Sequence, residues 1–215
     1  MDWDAHAERE ERRYEDGLQR LPDDPDRRQR QLVRVAMAAG GAGLARLMQR
    51  RRAEAAGWFA RSAERYRESF VGAPPDSWGR PIGALKARIL AGDWDGARAD
   101  AAWTLEVGAG EADSAIGVYA AVLALLVLAE DERAAEAAAA LAGSEFPADV
   151  ADALGALAAH DSRAYESAIG RVLTSFEERE EYLEDIPVAD TVIVLQTLAE
   201  RRAFAADLRS ALLPT

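Results

Sequence analysis

Cysteine and asparagine are absent from the 215 residues, lysine occurs once (Lys86), and only two histidines are present, His6 and His160. Without cysteine neither a disulfide nor a thiolate metal site can form, and two histidines alone leave no ordinary nitrogen–sulfur zinc set. No nucleophile–base–orienter set can be assembled either, so an enzyme is not expected, and no cofactor or metal is expected. Long apolar runs are missing too. The most apolar stretch, Ile116 to Ala129, is 14 residues, short of the about 20 that cross a bilayer. The opening MDWDAHAEREERRYEDG is charged throughout and lacks the apolar region of a signal peptide. Both features lead to the expectation of a cytoplasmic protein with no membrane contact. Basic charge is scarce: 26 Lys and Arg face 38 Asp and Glu, for a net charge of −12. Nucleic acid is therefore not an expected partner, because binding it requires a basic face that displaces counterions. Dense carboxylates with almost no lysine fit a high-salt cytoplasm, where the screening length falls to about 3 Å. Coding bias alone is the competing explanation.

What the chain has in abundance is alanine-rich amphipathic runs, interrupted at intervals. Five times an aliphatic run stops at a short polar break and a second run begins. The breaks centre on Arg51, Asp93, Asp131, Asp161 and Arg201, spaced 42, 38, 30 and 40 residues apart. Four residues after each stands a residue placed to face a partner helix: Ala55, Ala97, Ala135, Tyr165 and Ala205. Helix–turn–helix units at such a period mark an α-solenoid, because each unit must stack on its neighbours to bury its apolar stripe.

The expected fold is therefore all-α: a right-handed α-solenoid of about five helical pairs, forming one domain over residues 1–215. An N-terminal capping helix would occupy residues 1–24 and the repeats residues 25–215. Trp3, Ala7, Tyr14, Leu18 and Leu21 recur at helical spacing in the first helix. Asp24 is placed to cap the second, with Pro25 at its first position. The pairs then run from Asp26 to Phe70, Ser77 to Gly108, Glu111 to Gly143, Pro147 to Leu183 and Pro187 to Pro214. No window alternates with period two between turn residues. Val192 to Leu195 comes nearest, but Leu195 and Leu198 continue a helical face. The run from Ile116 to Leu128 is apolar nearly all round, so its helix is expected to be buried on every side.

The units LKARILAGDWDGARADAAWTL and LALLVLAEDERAAEAAAAL resemble tetratricopeptide repeats: a first helix, a tight turn at a small or acidic residue, then a helix with alanine at the close approach. The likeness spans most of residues 27–213, although the usual period of about 34 and the Trp–Leu-Gly–Tyr fingerprint are not reproduced. It implies a superhelical scaffold with a concave peptide-binding face. The last forty residues, with SFEEREEYLED read as an acidic helix followed by PVADTVIVLQTLAERR and LRSALLP, resemble helical immunity proteins that neutralise bacterial toxins. That likeness implies tight binding to a toxin domain.

Several features are candidate sites. His160 falls in a turn where interaction with a helix C-terminus accounts for it, and His6 lies in the charged first helix. Gly40-Gly41-Ala42-Gly43 matches no phosphate-binding motif and follows no strand, so a kink or a close helix–helix approach is expected. Asp93-x-Asp95-Gly96 lacks the remaining ligands of a calcium loop, and Asp93 is expected to cap a helix. Glu177, Glu180, Glu181 and Glu184 would share one helical face, a place for a hard divalent cation if the face were not simply solvated.

The strongest anomaly is basic. Residues 1–72 carry 15 basic and 13 acidic groups, the rest 11 and 25, yet Ser77 to Gly92 holds Arg80, Lys86 and Arg88 without an acid. Arg80 and Arg88 lie about 80° apart on a helix. With Trp78 and Tyr119 they form the candidate partner-binding set, a cationic, aromatic-edged pocket for an acidic peptide or anion; internal bridging to acidic helices is the alternative. The expected function is a non-catalytic interaction module or scaffold that binds a protein or peptide. An immunity-type inhibitor and a carboxylate-rich metal-binding protein are the other readings. Exposed terminal repeats and the Trp3 helix are also able to pair, so a homo-oligomer belongs among the expectations.

Overall fold

The computed structural model describes residues 1–214 and is all-helical, with ten α-helices and no strand among the described residues. The chain divides into two compact units. The first holds residues 1–93 with 181–188 and 211–214, the second residues 94–180 and 189–210. Among the described residues no helix is long and apolar enough to cross a membrane.

The first unit contains α1 (Trp3–Gln19), α2 (Pro25–Met48), α3 (Arg52–Phe70) and α4 (Gly79–Ala91), each packed on the next. The Asp24 carboxylate accepts from the Arg27 amide at 2.9 Å and Pro25 opens α2, as the sequence indicates. Tyr14 of α1 meets Trp58 of α3 edge-on at 5.4 Å, over buried Val35 and Ala39 of α2. The glycine-rich run does not interrupt α2. A methyl group on Gly43 would stand 2.6 Å from the Phe59 ring, and one on Gly41 2.8 Å from Ile186. These glycines let a neighbouring side chain sit directly on the α2 backbone. Residues 181–188 are held to α1 by a buried carboxylate. Glu10, with no exposed surface, accepts from Arg9 and Arg13 at 2.8 Å each, and the same arginines reach the Glu184 carbonyl and carboxylate.

The second unit contains α5 (Trp94–Glu106), α6 (Ala115–Leu128), α7 (Asp131–Ala139), α8 (Ala148–Ala158), α9 (Ser162–Glu177) and α10 (Asp190–Glu200). Consecutive helices pack from α5 to α9, and α10 lies on both α8 and α9. The apolar α6 is buried along its length from Tyr119 to Val127, with Ile116 at its start left exposed.

One backbone turn recurs at all five breaks. Arg50, Gly92, Ala129, His160 and Ala203 adopt left-handed φ of 63°, 70°, 59°, 55° and 63°. The amide after each reaches the carbonyl five residues back at 3.0 or 3.1 Å, in the Schellman arrangement that ends a helix. Register follows from the turn. Five residues beyond the first four lie Ala55, Ala97, Ala134 and Tyr165; nine beyond lie Phe59, Ala101, Ala138 and Ile169; twelve beyond lie Ser62, Thr104, Leu141 and Val172. All twelve are buried.

Three expectations are corrected. In the third unit the buried residue is Ala134 rather than Ala135, because the turn sits at Ala129 and not at Asp131. The acidic run is not one helical face. The last residue of α9 is Glu177, Arg179 lies over the Phe176 ring at 3.6 Å, and Glu184 takes φ 57° inside a separate 3₁₀ turn. The fifth pair lacks its second helix. Residues 204–210 are non-helical, and Ala205 is exposed.

Candidate functional site

The residues singled out on α4 are occupied internally. Arg80 is buried, its Nη2 donating to Gln29 Oε1 on α2, and burial lowers its pKa from the ordinary arginine value. Trp78 is also buried, its indole N–H donating to Asp76 at 3.2 Å. Arg88 pairs with Asp93 at 2.8 Å, and Lys86 lies half-buried on the same helix. Tyr119 belongs to the second unit, where it packs against Phe146 with ring centroids 5.0 Å apart.

That aromatic pair lines a cleft of about 190 Å³ inside the second unit. Tyr119 of α6, Val150 of α8, and Val172 and Phe176 of α9 form its buried floor. Phe146, Pro147, Asp149, Ser175, Arg179 and Thr191 form its rim. Local chemistry fixes the parts. Pro147 precedes α8 and so sets where Phe146 leaves the preceding loop. The Asp149 carboxylate accepts from the Val150 amide at 2.9 Å in the first turn of α8. The Arg179 guanidinium carbon lies over the Phe176 ring, 3.6 Å from its centroid, a cation–π contact that places a positive charge at the mouth. One cation and one anion thus flank an aromatic floor.

A second depression, of about 210 Å³ in the first unit, is lined by Arg13, Arg20, Arg34 and Gln31 with Asp16. Two of its three guanidinium groups are spoken for: Arg13 by Glu10 and Glu184, Arg20 by Asp16 at 3.0 Å.

No protein-family model, curated protein or solved structure matches the chain significantly. No group of three His, Asp or Glu side chains stands close enough to hold a metal ion among the described residues. His160 bonds Asp131 at 2.7 Å, and Asp131 also accepts from Arg202. Burial pushes the Asp131 carboxyl up, but the hydrogen bonds and charges of Arg202 and His160 outweigh it and hold the group below its ordinary value. Arg202 also donates to the Leu126 carbonyl at 2.8 Å, at the end of α6. The cluster ties the turn after α10 to the end of α6 and the start of α7.

Of the residues expected in a binding set, only Tyr119 lines the cleft. Phe146, Phe176 and Arg179 carry no motif that marks them in the sequence. Phe176 and Arg179 stand three residues apart, but no spacing in the sequence links them to Phe146 or Tyr119. The one available signal was scarcity: two of the chain's five phenylalanines lie here.

Proposed function

We propose that the protein is a non-catalytic, tetratricopeptide-like helical-repeat protein that binds another protein through the Tyr119–Phe146–Phe176 cleft. The recurring left-handed turn and the shared buried register support stacked helix–turn–helix units in an α-solenoid. The size and lining of the cleft carry the functional reading. At about 190 Å³ it falls below the roughly 300–1,000 Å³ of small-molecule and cofactor sites. It suits one large side chain. Aromatic walls with an arginine at the rim are the composition of interface anchor pockets. With Asp149 and Arg179 at the mouth the site has no strong sign preference, so the partner is a protein presenting an aromatic or aliphatic anchor flanked by polar residues.

Panning a random peptide library on the purified protein tests this. The selected peptides are expected to share a large apolar anchor and to bind about tenfold more weakly or worse to Phe146→Asp, a loss of at least about 1.4 kcal/mol. Circular dichroism should be unchanged, and the exposed control Arg98→Glu should bind normally. Peptides indifferent to Phe146→Asp and Arg179→Glu, or robust turnover across a hydrolase substrate panel, would refute the reading.

A further inference from the structure

We propose that the surface formed by α9, α10 and the turn at His160 is a recognition site for an extended peptide, and that residues 204–210 of this chain fill it in cis. The partner it fits is an extended segment of another protein with an aromatic residue, a small residue two positions on, and an aliphatic residue two beyond that. In this chain those positions are Phe204, Ala206 and Leu208.

The first ground is how the segment is held. The Gln196 carboxamide of α10 donates to the Ala206 carbonyl at 2.6 Å and accepts from the Ala206 amide at 3.2 Å. A neighbouring β-strand offers one residue the same paired bonds. Gln196 therefore grips main chain, which any extended peptide supplies. It is itself fixed by Tyr165, whose hydroxyl donates to Gln196 Oε1 at 3.0 Å. Burial, reinforced by Glu200, pushes the Tyr165 phenol above its ordinary pKa, so that donor keeps its proton.

The second ground is selectivity at alternate side chains. From Phe204 to Ser210 exposure alternates residue by residue: Phe204, Ala206, Leu208 and Ser210 are half-buried, while Ala205, Asp207 and Arg209 are exposed. Period two is the signature of an extended chain lying on a surface. Phe204 is held edge-on by Tyr165, with centroids 5.6 Å apart, and by His160 at 6.1 Å. Ser210 donates to Glu177 at 2.7 Å at the far end.

The third ground is conflict between the segment and its conformation. AFAADLRSALLP is rich in alanine, leucine and arginine, the strongest helix formers. Its apolar spacing reads as an amphipathic helix. Held extended, it contradicts its own preference, so the surface must supply the stabilisation. Such local conflicts concentrate at functional sites.

The test uses the full chain. Phe204→Ala/Leu208→Ala weakens the internal occupant, and a fluorescent peptide of sequence AFAADLRSALLP is titrated by anisotropy. Saturable binding is expected, about tenfold or more tighter than to the unsubstituted protein. It should be lost by about tenfold when Gln196→Leu is added, or when the peptide alanine equivalent to Ala206 is N-methylated. Phe146→Asp should leave this binding unchanged, which separates the site from the aromatic cleft. Absence of saturable binding, or binding indifferent to Gln196→Leu, overturns the proposal. Hydrogen exchange on the unsubstituted protein gives an independent reading should the double variant fail to fold. Amides of residues 204–210 should open below the free energy of α9 and α10, and opening only with those helices overturns the proposal. If the segment seats in a second copy instead, a concentration-dependent dimer forms that the peptide dissolves; a dimer the peptide leaves intact counts against the proposal.

Discussion

Gly92 and Ala129 occupy the same left-handed position in equivalent turns, at φ 70° and 59°, and exchanging their residue types isolates the conformational term. A left-handed L-residue costs about 1–2 kcal/mol, whereas glycine visits that region freely but loses more freedom on folding, about 0.5–1 kcal/mol. A methyl group on Gly92 would meet nothing within 4 Å, so Gly92→Ala carries no clash. Ala129 is exposed, so Ala129→Gly sacrifices little burial. Gly92→Ala is expected to destabilise by about 1 kcal/mol and Ala129→Gly to stabilise by about 0.5–1 kcal/mol. For a chain of this size that is a shift of about 2–4 °C per kcal/mol, in opposite directions. Urea titrations at unchanged m-value are the assay. The two sites lie in different units, so separate unfolding of the units would split the two shifts between two transitions. A neutral Gly92→Ala, or an Ala129→Gly that destabilises, would refute the argument that these turns store left-handed strain.

Further outcomes follow from packing and from titration. Gly43→Ala should cost about 1–3 kcal/mol in thermal stability, because the added methyl lands 2.6 Å from Phe59 and one of the two must move. Leu123→Ala, at a fully buried position of α6, should cost about 2–5 kcal/mol by the same measurement. Asp131 has its pKa lowered in the fold, so its stabilisation is present above the ordinary value of 3.8 and is lost as pH falls below it. Asp131→Asn should therefore lower stability at neutral pH and flatten the acid limb of a stability–pH profile. Tyr165 has the opposite sign of proton linkage. Its raised pKa means stability is full below about 10 and declines as pH rises beyond, since the unfolded chain ionises first. Tyr165→Phe should remove that alkaline decline, and unfolding monitored from pH 9 to 11 would show it.

Much of the helical order is legible in the residues because it is local. Asp24–Pro25 announces the start of α2, and the unbroken apolar run of α6 announces its burial. The polar breaks at Arg51, Asp93, Asp131, Asp161 and Arg201 fall within two residues of the left-handed turns. What stayed hidden has a common cause: the deciding contact is distant in sequence. Periodicity carries the acidic run beyond Glu177, but Arg9 and Arg13 capture residue 184 from 175 and 171 positions away and draw it out of helical geometry. Arg80 reads as a surface cation until α2 brings Gln29 to it, 51 residues back. The Tyr119 cleft needs α6, α8 and α9 together before Phe146 and Phe176 line one cleft.

The segment after α10 shows why such misses carry information. Its residues have a helical pattern and propensity, yet residues 204–210 are not helical. The Schellman turn at Ala203 ends α10 just as equivalent turns end α2, α4, α6 and α8. After those four turns a second helix begins, whereas here the chain runs on extended. The difference is not in the turn. It lies in what waits on α10, where Gln196 stands ready to take both main-chain groups of Ala206, and in the Tyr165 and His160 rings that receive Phe204. In a fifth second helix begun like the others, two residues after the turn, the Ala206 carbonyl would be bonded to an amide four residues on, and Gln196 could pair only with the free first-turn amide. The half-buried carboxamide would then lose its bond to the Ala206 carbonyl. The extended state is favoured because the surface was built for main chain, and a surface built for main chain does not depend on which molecule supplies it.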